Sequence, residues 1–190
     1  FVTLCGVDAN GLPVATHIPV LIEVQNDIVT ISGHIMRKQD HSNAFELNKN
    51  VLVIFSAPSA FVSASWYANQ GQASTWNYQT VHAIGKLEMQ DEQHLYDLLV
   101  TLTQKFETDA EAPSQVKNLD PMYMQQNMKA IVSFEIVVDQ LKHVFKLSQN
   151  RDEASHTNIQ TELNKGDAAC KHMAAAMKAQ SSPKDSHKSL

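Results

Sequence analysis

Three groups of side chains in this 190-residue chain have the types and spacing to do chemistry. The first is Gly33-His34-Ile35-Met36-Arg37-Lys38, which follows a strand and leads into a helical stretch. Adjacent Arg and Lys can neutralise a phosphate dianion, and free N–H groups at a helix start add donors. The same dipeptide also reads as a solvated charge pair at a strand end. Only two of the 15 basic residues are arginine, Arg37 and Arg151, so their positions carry weight. The second group is aromatic. Phe61, Trp66, Tyr67, Trp76 and Tyr78 fall close together, with Ser63, Ser65, Thr75 and Asn77 interleaved. Such a cluster can wall a site for a flat heterocycle, lid a core, or line a subunit interface. The third group is histidine, nine in all, spaced without HExxH or a Cys/His quartet, so no metal is expected.

Other chemistries lack their signatures. There is no Gly-x-Ser-x-Gly elbow, and only six glycines, none in a Rossmann or phosphate-loop pattern. Cys5 and Cys170 lie far apart without a catalytic setting. They read as free thiols in a reducing compartment, which implies the cytoplasm.

The elements that must position these residues follow from periodicity. Turn signals at Asp8-Ala9-Asn10-Gly11 and Asn26-Asp27 separate apolar runs over Phe1–Val7, 12–24 and Ile28–Ile31. Further strands are expected at 51–55, 81–89, 130–138 and 144–147, about seven in all. Helices are expected at 37–48 and, more strongly, at 92–107, where Leu95, Leu98, Leu99, Leu102 and Phe106 recur at helical spacing behind an Asp91 cap. Residues 108–121 read as a loop. Residues 152–164 and 167–179 read as two helices around Gly166, with a disordered tail from Gln180. The result is a mainly β, α+β chain with one amphipathic helix on its sheet. The strand spacing suits an all-β sandwich or barrel; residues 1–150 hold it as one domain, and 151–190 are a C-terminal helical extension of the same domain.

Composition narrows the function classes. Hydrophobic residues make up 43% of the chain, enough for a packed core. The formal net charge is -5. Residues 151–190 hold six basic and five acidic residues, so even this part offers little for nucleic acid. No apolar run approaches the ~20 residues of a membrane-spanning helix.

Taken in order, several segments resemble the PaiB family, described as FMN-binding negative transcriptional regulators. They are Ala15-Thr16-His17-Ile18-Pro19, Gly33-His34 ahead of Arg37, Ser65-Trp66-Tyr67, Thr75-Trp76-Asn77-Tyr78 with Val81-His82, and Lys146-Leu147-Ser148-Gln149-Asn150-Arg151. The likeness spans nearly the whole chain, and the Trp-Asn-Tyr and Lys-Leu-Ser-Gln-Asn-Arg blocks are its most specific parts. The family pattern has a further helix before the first strand, whereas this sequence opens directly in Phe1-Val2-Thr3. The resemblance implies an FMN-binding split β-barrel, akin to pyridoxamine-phosphate oxidase. It also implies a homodimer with the flavin at the interface. Arg37 and Lys38 would hold the phosphate, and His17, Ile18 and Pro19 would lie along the ring by backbone contact. His34 and Met36 would join them, with Trp66, Thr75, Trp76, Asn77 and Tyr78 closing the site. The sequence departs from the pattern where Ile35-Met36-Arg37-Lys38-Gln39-Asp40 replaces Met-Ala-Arg-Ala-Asn-Pro. It departs again at Phe61 and Ala64, where Tyr and Pro are usual.

Three functions compete at this point: a flavoprotein with redox or sensor competence, a direct DNA-binding repressor, and a barrel holding haem or another ligand in place of flavin. No helix-turn-helix with a basic recognition helix supports the second. The residues assign no general acid or base, so substrate and catalytic residues stay open.

Overall fold

The computed structural model describes residues 1–181. The tail expected from Gln180 therefore falls, beyond residue 181, outside the described residues. In chain order the elements are β1 (Val2–Val7), β2 (Pro13–Ile18), β3 (Leu21–Gln25), β4 (Ile28–Met36), α1 (Asp40–Leu47), β5 (Asn50–Ser56), β6 (Ala60–Val62), β7 (Thr75–Met89), α2 (Glu92–Phe106), α3 (Pro121–Met128), β8 (Ile131–Lys146), α4 (Glu153–Leu163) and α5 (Ala168–Ser181). Seven strands form one open sheet in the order β2-β1-β5-β7-β8-β4-β3, and β6 pairs with β7 off that path. The pairs β1/β2, β1/β5, β3/β4, β4/β8 and β6/β7 are antiparallel.

The tight turns expected from sequence are present. Gly11 has φ 81°, and the Asp8 carboxylate accepts from the N–H groups of Leu12 and Asn10 at 2.8 Å. Those bonds, Leu12's first, hold Asp8 below the ordinary carboxylate range. Asn26 and Asp27 sit at φ 50° and 64°, the left-handed pair a two-residue hairpin requires.

The chain divides into two compact units. Unit 1 comprises Phe1–Phe55 and His82–Lys142. Unit 2 comprises Ser56–Val81 with the chain from His143 on. Unit 1 holds most of the sheet with α1, α2 and α3. Side chains alternate along each strand, and one face carries Leu4, Ile31, Ile35, Val53, Leu87, Phe134 and Ile136, all buried. Burying each stabilises the fold by roughly 1.5–3 kcal/mol. Two glycines share that face because nothing larger fits. A Cβ at Gly33 would come within 2.8 Å of the Phe134 ring, and one at Gly85 would overlap the carbonyl oxygen of Val137. α2 begins at its expected cap, with Asp91 accepting from His94 N–H at 2.9 Å, and buries Leu95, Leu98 and Leu102.

Unit 2 has its own core. Leu147, Ile159, Leu163, Met173 and Met177 are fully buried, with Tyr67 and Val62 packed among them. α4 starts at Asp152, which accepts from Ser155 N–H at 2.9 Å. The pair α4 and α5 matches the two C-terminal helices expected from sequence.

Four local expectations are corrected. The run 12–24 is two strands, parted at Pro19-Val20, because Pro19 has no N–H for a ladder. β4 does not stop near Gly33 but runs to Met36, and the helix starts at Asp40 rather than Arg37. The stretch 108–121 contains a helical turn at Val116–Asn118, and Pro121 opens a further helix, α3, at the position where its missing N–H costs nothing. The expected strands at 130–138 and 144–147 are one 16-residue strand, β8, and with the split of 12–24 and the short β6, not expected from sequence, the strands number eight.

Candidate functional site

In β4 the core-facing residues are Ile31, Gly33 and Ile35, so Ser32, His34 and Met36 point to the other face. Antiparallel register sets His34 opposite Ser133 and Met36 opposite Ile131 on β8. α2 lies on this face. His94 meets Ser133 Oγ through Nδ1 at 3.0 Å and Glu135 Oε1 through Nε2 at 3.3 Å. Towards the C-terminal half of α2 a cavity of about 430 Å³ opens, lined by Pro19, His34, Leu99, Leu102, Phe106 and Ser114, among others. Two candidate residues from distant segments, Pro19 and His34, thus meet in one cavity. The Nδ1 atom of His34 is buried and has no hydrogen-bond partner among the described residues. Burial pushes its imidazole below the ordinary range, so it sits neutral with one ring nitrogen unused. Of the other residues on that segment, Ile18 is buried in the unit 1 core and His17 is exposed beside Thr3.

Three positions beyond His34, Arg37 leaves the strand with its guanidinium fixed. Its N–H donates to Ala130 O at 2.9 Å, and its Nε donates to Ile131 O at 2.8 Å. The terminal NH₂ groups meet no partner among the described residues. The N–H expected to add a donor at a helix start is therefore already engaged. Lys38 follows with left-handed backbone, φ 60°, which turns the chain toward the Gln39 cap of α1. It is exposed and has no ion pair among the described residues. Met36 is half exposed.

Arg37 also lines a cavity of about 420 Å³ with Glu92, Leu95, Gln125, Met128 and Lys129. Gln125 and Lys129 carry no signal of their own in the sequence: the first lies on α3 and the second is its C-cap, and residues 108–121 read as a loop. The helix itself has a signal, since Asp120-Pro121 is a cap followed by a first-turn proline.

The aromatic group lies in unit 2. Trp76 is 54% exposed and meets Phe61 edge-on, with ring centroids 5.7 Å apart. Tyr78 is exposed on the same face of β7, while Trp66 is partly buried against the unit 2 core. Thr75 Oγ1 accepts from Lys146 Nζ. Asn77 points the other way. It is fully buried, accepts from Ser148 Oγ at 3.0 Å and donates to Met177 Sδ at 3.3 Å, so its side chain is used up inside the unit. The Lys146–Arg151 block builds this end of the unit. Ser148 takes φ 59°, Gln149 bonds back to Leu147 N–H and Phe145 O, and the Arg151 guanidinium stacks 4.1 Å from the Tyr67 ring centroid.

Among the described residues no group of three or more His, Cys, Asp or Glu is placed to hold a metal ion. No helix among them is long and apolar enough to cross a membrane.

The open, mainly antiparallel sheet with its packed helices has the split-barrel fold. Residues 1–140 match the family described as "Putative FMN-binding domain". The chain belongs to this family, and within it to the PaiB type. It is 35% identical over 168 residues to the Protease synthase and sporulation protein PAI 2 of Bacillus subtilis, covering 88% of this chain and 81% of that protein. Among solved structures, the FAD and heme binding protein from Mycobacterium smegmatis superposes with a TM-score of 0.54 at 18% identity, covering 76% of this chain and 64% of that one. The flavocytochrome Anf3 from Azotobacter vinelandii does so with a TM-score of 0.51 at 15% identity, covering 82% and 67%. At those identities the likeness is one of fold.

Proposed function

We propose that this protein binds FMN and serves as a flavin-dependent redox or sensor protein of the cytoplasm, working as a homodimer with the cofactor at the subunit interface. The observation that carries this is the cavity of unit 1 that joins Pro19 to the unpartnered Nδ1 of His34. A flavin fits this donor set. Its ring offers nitrogen and carbonyl groups to an unused imidazole nitrogen. Its phosphate suits Arg37, whose terminal N–H groups are free and whose Nε is already anchored.

When bound, the flavin supplies one- and two-electron transfer. The residues of this chain do the holding. Arg37, with Lys38 beside it, neutralises the phosphate. The backbone from His17 to Pro19, with His34 and Met36, would hold the ring. Trp66, Thr75, Trp76 and Tyr78 are the aromatic and polar surface presented to a second protomer. Asn77 serves them from beneath by tying β7 to Ser148 and Met177. Support for the dimer comes from β8, where Val137 and Leu141 are half exposed on the face opposite the buried Ile136. Support for a reducing compartment comes from the two free cysteines.

Any regulatory role runs through redox state or a partner protein. Two arginines and a net charge of -5 are a poor basis for direct operator binding. The test is a titration of cofactor-free protein with FMN, followed by flavin fluorescence and visible absorption, with FAD and haemin as rivals. Saturable quenching by FMN, tighter than by either rival, is expected. Indifference to FMN sinks the proposal, and preference for haemin replaces it.

A further inference from the structure

We propose that Lys129 and Gln125, together with Arg37, form a site for a phosphate monoester, and that on the flavin reading above this is the phosphate of FMN. The phosphate clamp is then not confined to the Arg37-Lys38 dipeptide. It is completed by the end of α3.

Four observations on unit 1 carry this. Arg37 and Lys129 line one cavity of about 420 Å³, floored by the apolar Leu95 and Met128, and Lys38 is not part of its lining. The Arg37 guanidinium is held in place by its Nε bond to Ile131 O, and its backbone N–H is bound to Ala130 O, the residue after Lys129. β8 therefore starts against Arg37, and Lys129 cannot drift far from it. Neither the terminal N–H groups of Arg37 nor the ammonium of Lys129 has a partner among the described residues. The amide of Gln125 is likewise uncommitted there.

The chemistry matches a tetrahedral dianion. A guanidinium offers two parallel N–H groups to two of the terminal oxygens, an ammonium meets the third, and an amide N–H can add a bond to any of them. One carboxylate, Glu92, also faces the cavity. It leaves the three charged groups with a net charge of +1. It must weaken any dianion bound there, which fixes the sign of one further effect.

The experiment measures FMN, riboflavin and inorganic phosphate binding to the full chain and to Lys129→Met, Gln125→Leu, Glu92→Gln and Lys38→Met. Riboflavin has the same ring without the phosphate, so it controls for folding and for the ring site. Expected is a loss of FMN affinity of roughly tenfold to a hundredfold in Lys129→Met. A smaller loss is expected in Gln125→Leu and a gain in Glu92→Gln, with riboflavin affinity unchanged in all three. FMN and riboflavin binding equally to the unaltered chain overturns the phosphate site but leaves the flavin reading. So does FMN affinity that falls in Lys38→Met and not in Lys129→Met. If neither flavin binds, the flavin reading fails. The site then stands only if inorganic phosphate binds and Lys129→Met abolishes that binding.

Discussion

Asn77 and Ser148, seventy-one positions apart, are joined inside unit 2 by a hydrogen bond of 3.0 Å from Ser148 Oγ to Asn77 Oδ1, where Asn77 has no exposed surface at all. The other end of the amide donates to Met177 Sδ. One side chain thus ties β7, the turn after β8 and α5 together. The Trp-Asn-Tyr and Leu-Ser-Gln-Asn blocks each hold one end of this bond. Asn77→Ala should destabilise unit 2 by about 1–3 kcal/mol, since it leaves the Ser148 hydroxyl buried and unpaired. Both tryptophans lie in that unit, so urea unfolding followed by tryptophan fluorescence reads it directly. An unchanged midpoint would show that the bond contributes nothing.

Gly85 faces the backbone of Val137 so closely that a methyl group would overlap the carbonyl oxygen. Backbone cannot swing away as a side chain can. Gly85→Ala should cost more than ~3 kcal/mol and damage the β7/β8 pairing of unit 1. Far-UV circular dichroism during thermal unfolding tests it. A melting curve that overlays the original would remove the close approach.

His34 gives unit 1 a pH dependence of definite sign. Its folded-state pKa is lowered by burial, so the unfolded chain binds the proton more readily. Stability is complete above the ordinary imidazole pKa of about 6.5 and declines as pH falls below it. His34→Gln should flatten that part of the slope between neutral and mildly acidic conditions. Parallel denaturation profiles for the two proteins across that range would exclude His34 as the cause.

Arg37 is anchored through Nε, a geometry lysine cannot reproduce. Arg37→Lys should keep the charge, lose the fork, and weaken FMN roughly tenfold while sparing riboflavin. Equal losses for both flavins would place Arg37 at the ring rather than at the phosphate.

Val137 and Leu141 are half exposed on one face of β8, the face opposite the buried Ile136. In a dimer that buries them, Leu141→Glu should shift the protein towards monomer. Light scattering over a range of concentrations is the check. A mass identical to that of the unaltered protein would move the interface elsewhere.

Much of the fold could be read along the chain because its causes are local. Asn-Gly and Asn-Asp mark turns by their tolerance of positive φ. Asp91 and Asp152 cap helices by bonding the N–H three residues on, and the leucines of α2 repeat with the helix. The family resemblance likewise rested on short contiguous blocks. Contiguity misled where the decisive partner lay far away. Gly33-His34 reads as the end of a strand, yet β4 runs on to Met36 because β8 supplies a ladder for it, residue by residue. Asn77 reads as a polar member of an aromatic wall, yet its amide faces inward to Ser148 and Met177. Strand periodicity fixes which residues share a face, but only packing shows which face is buried. Pro19 and His34 share a cavity, and Arg37 lies near Lys129, because sheet register and the placement of α2 and α3 bring them there. No spacing in the sequence encodes those distances.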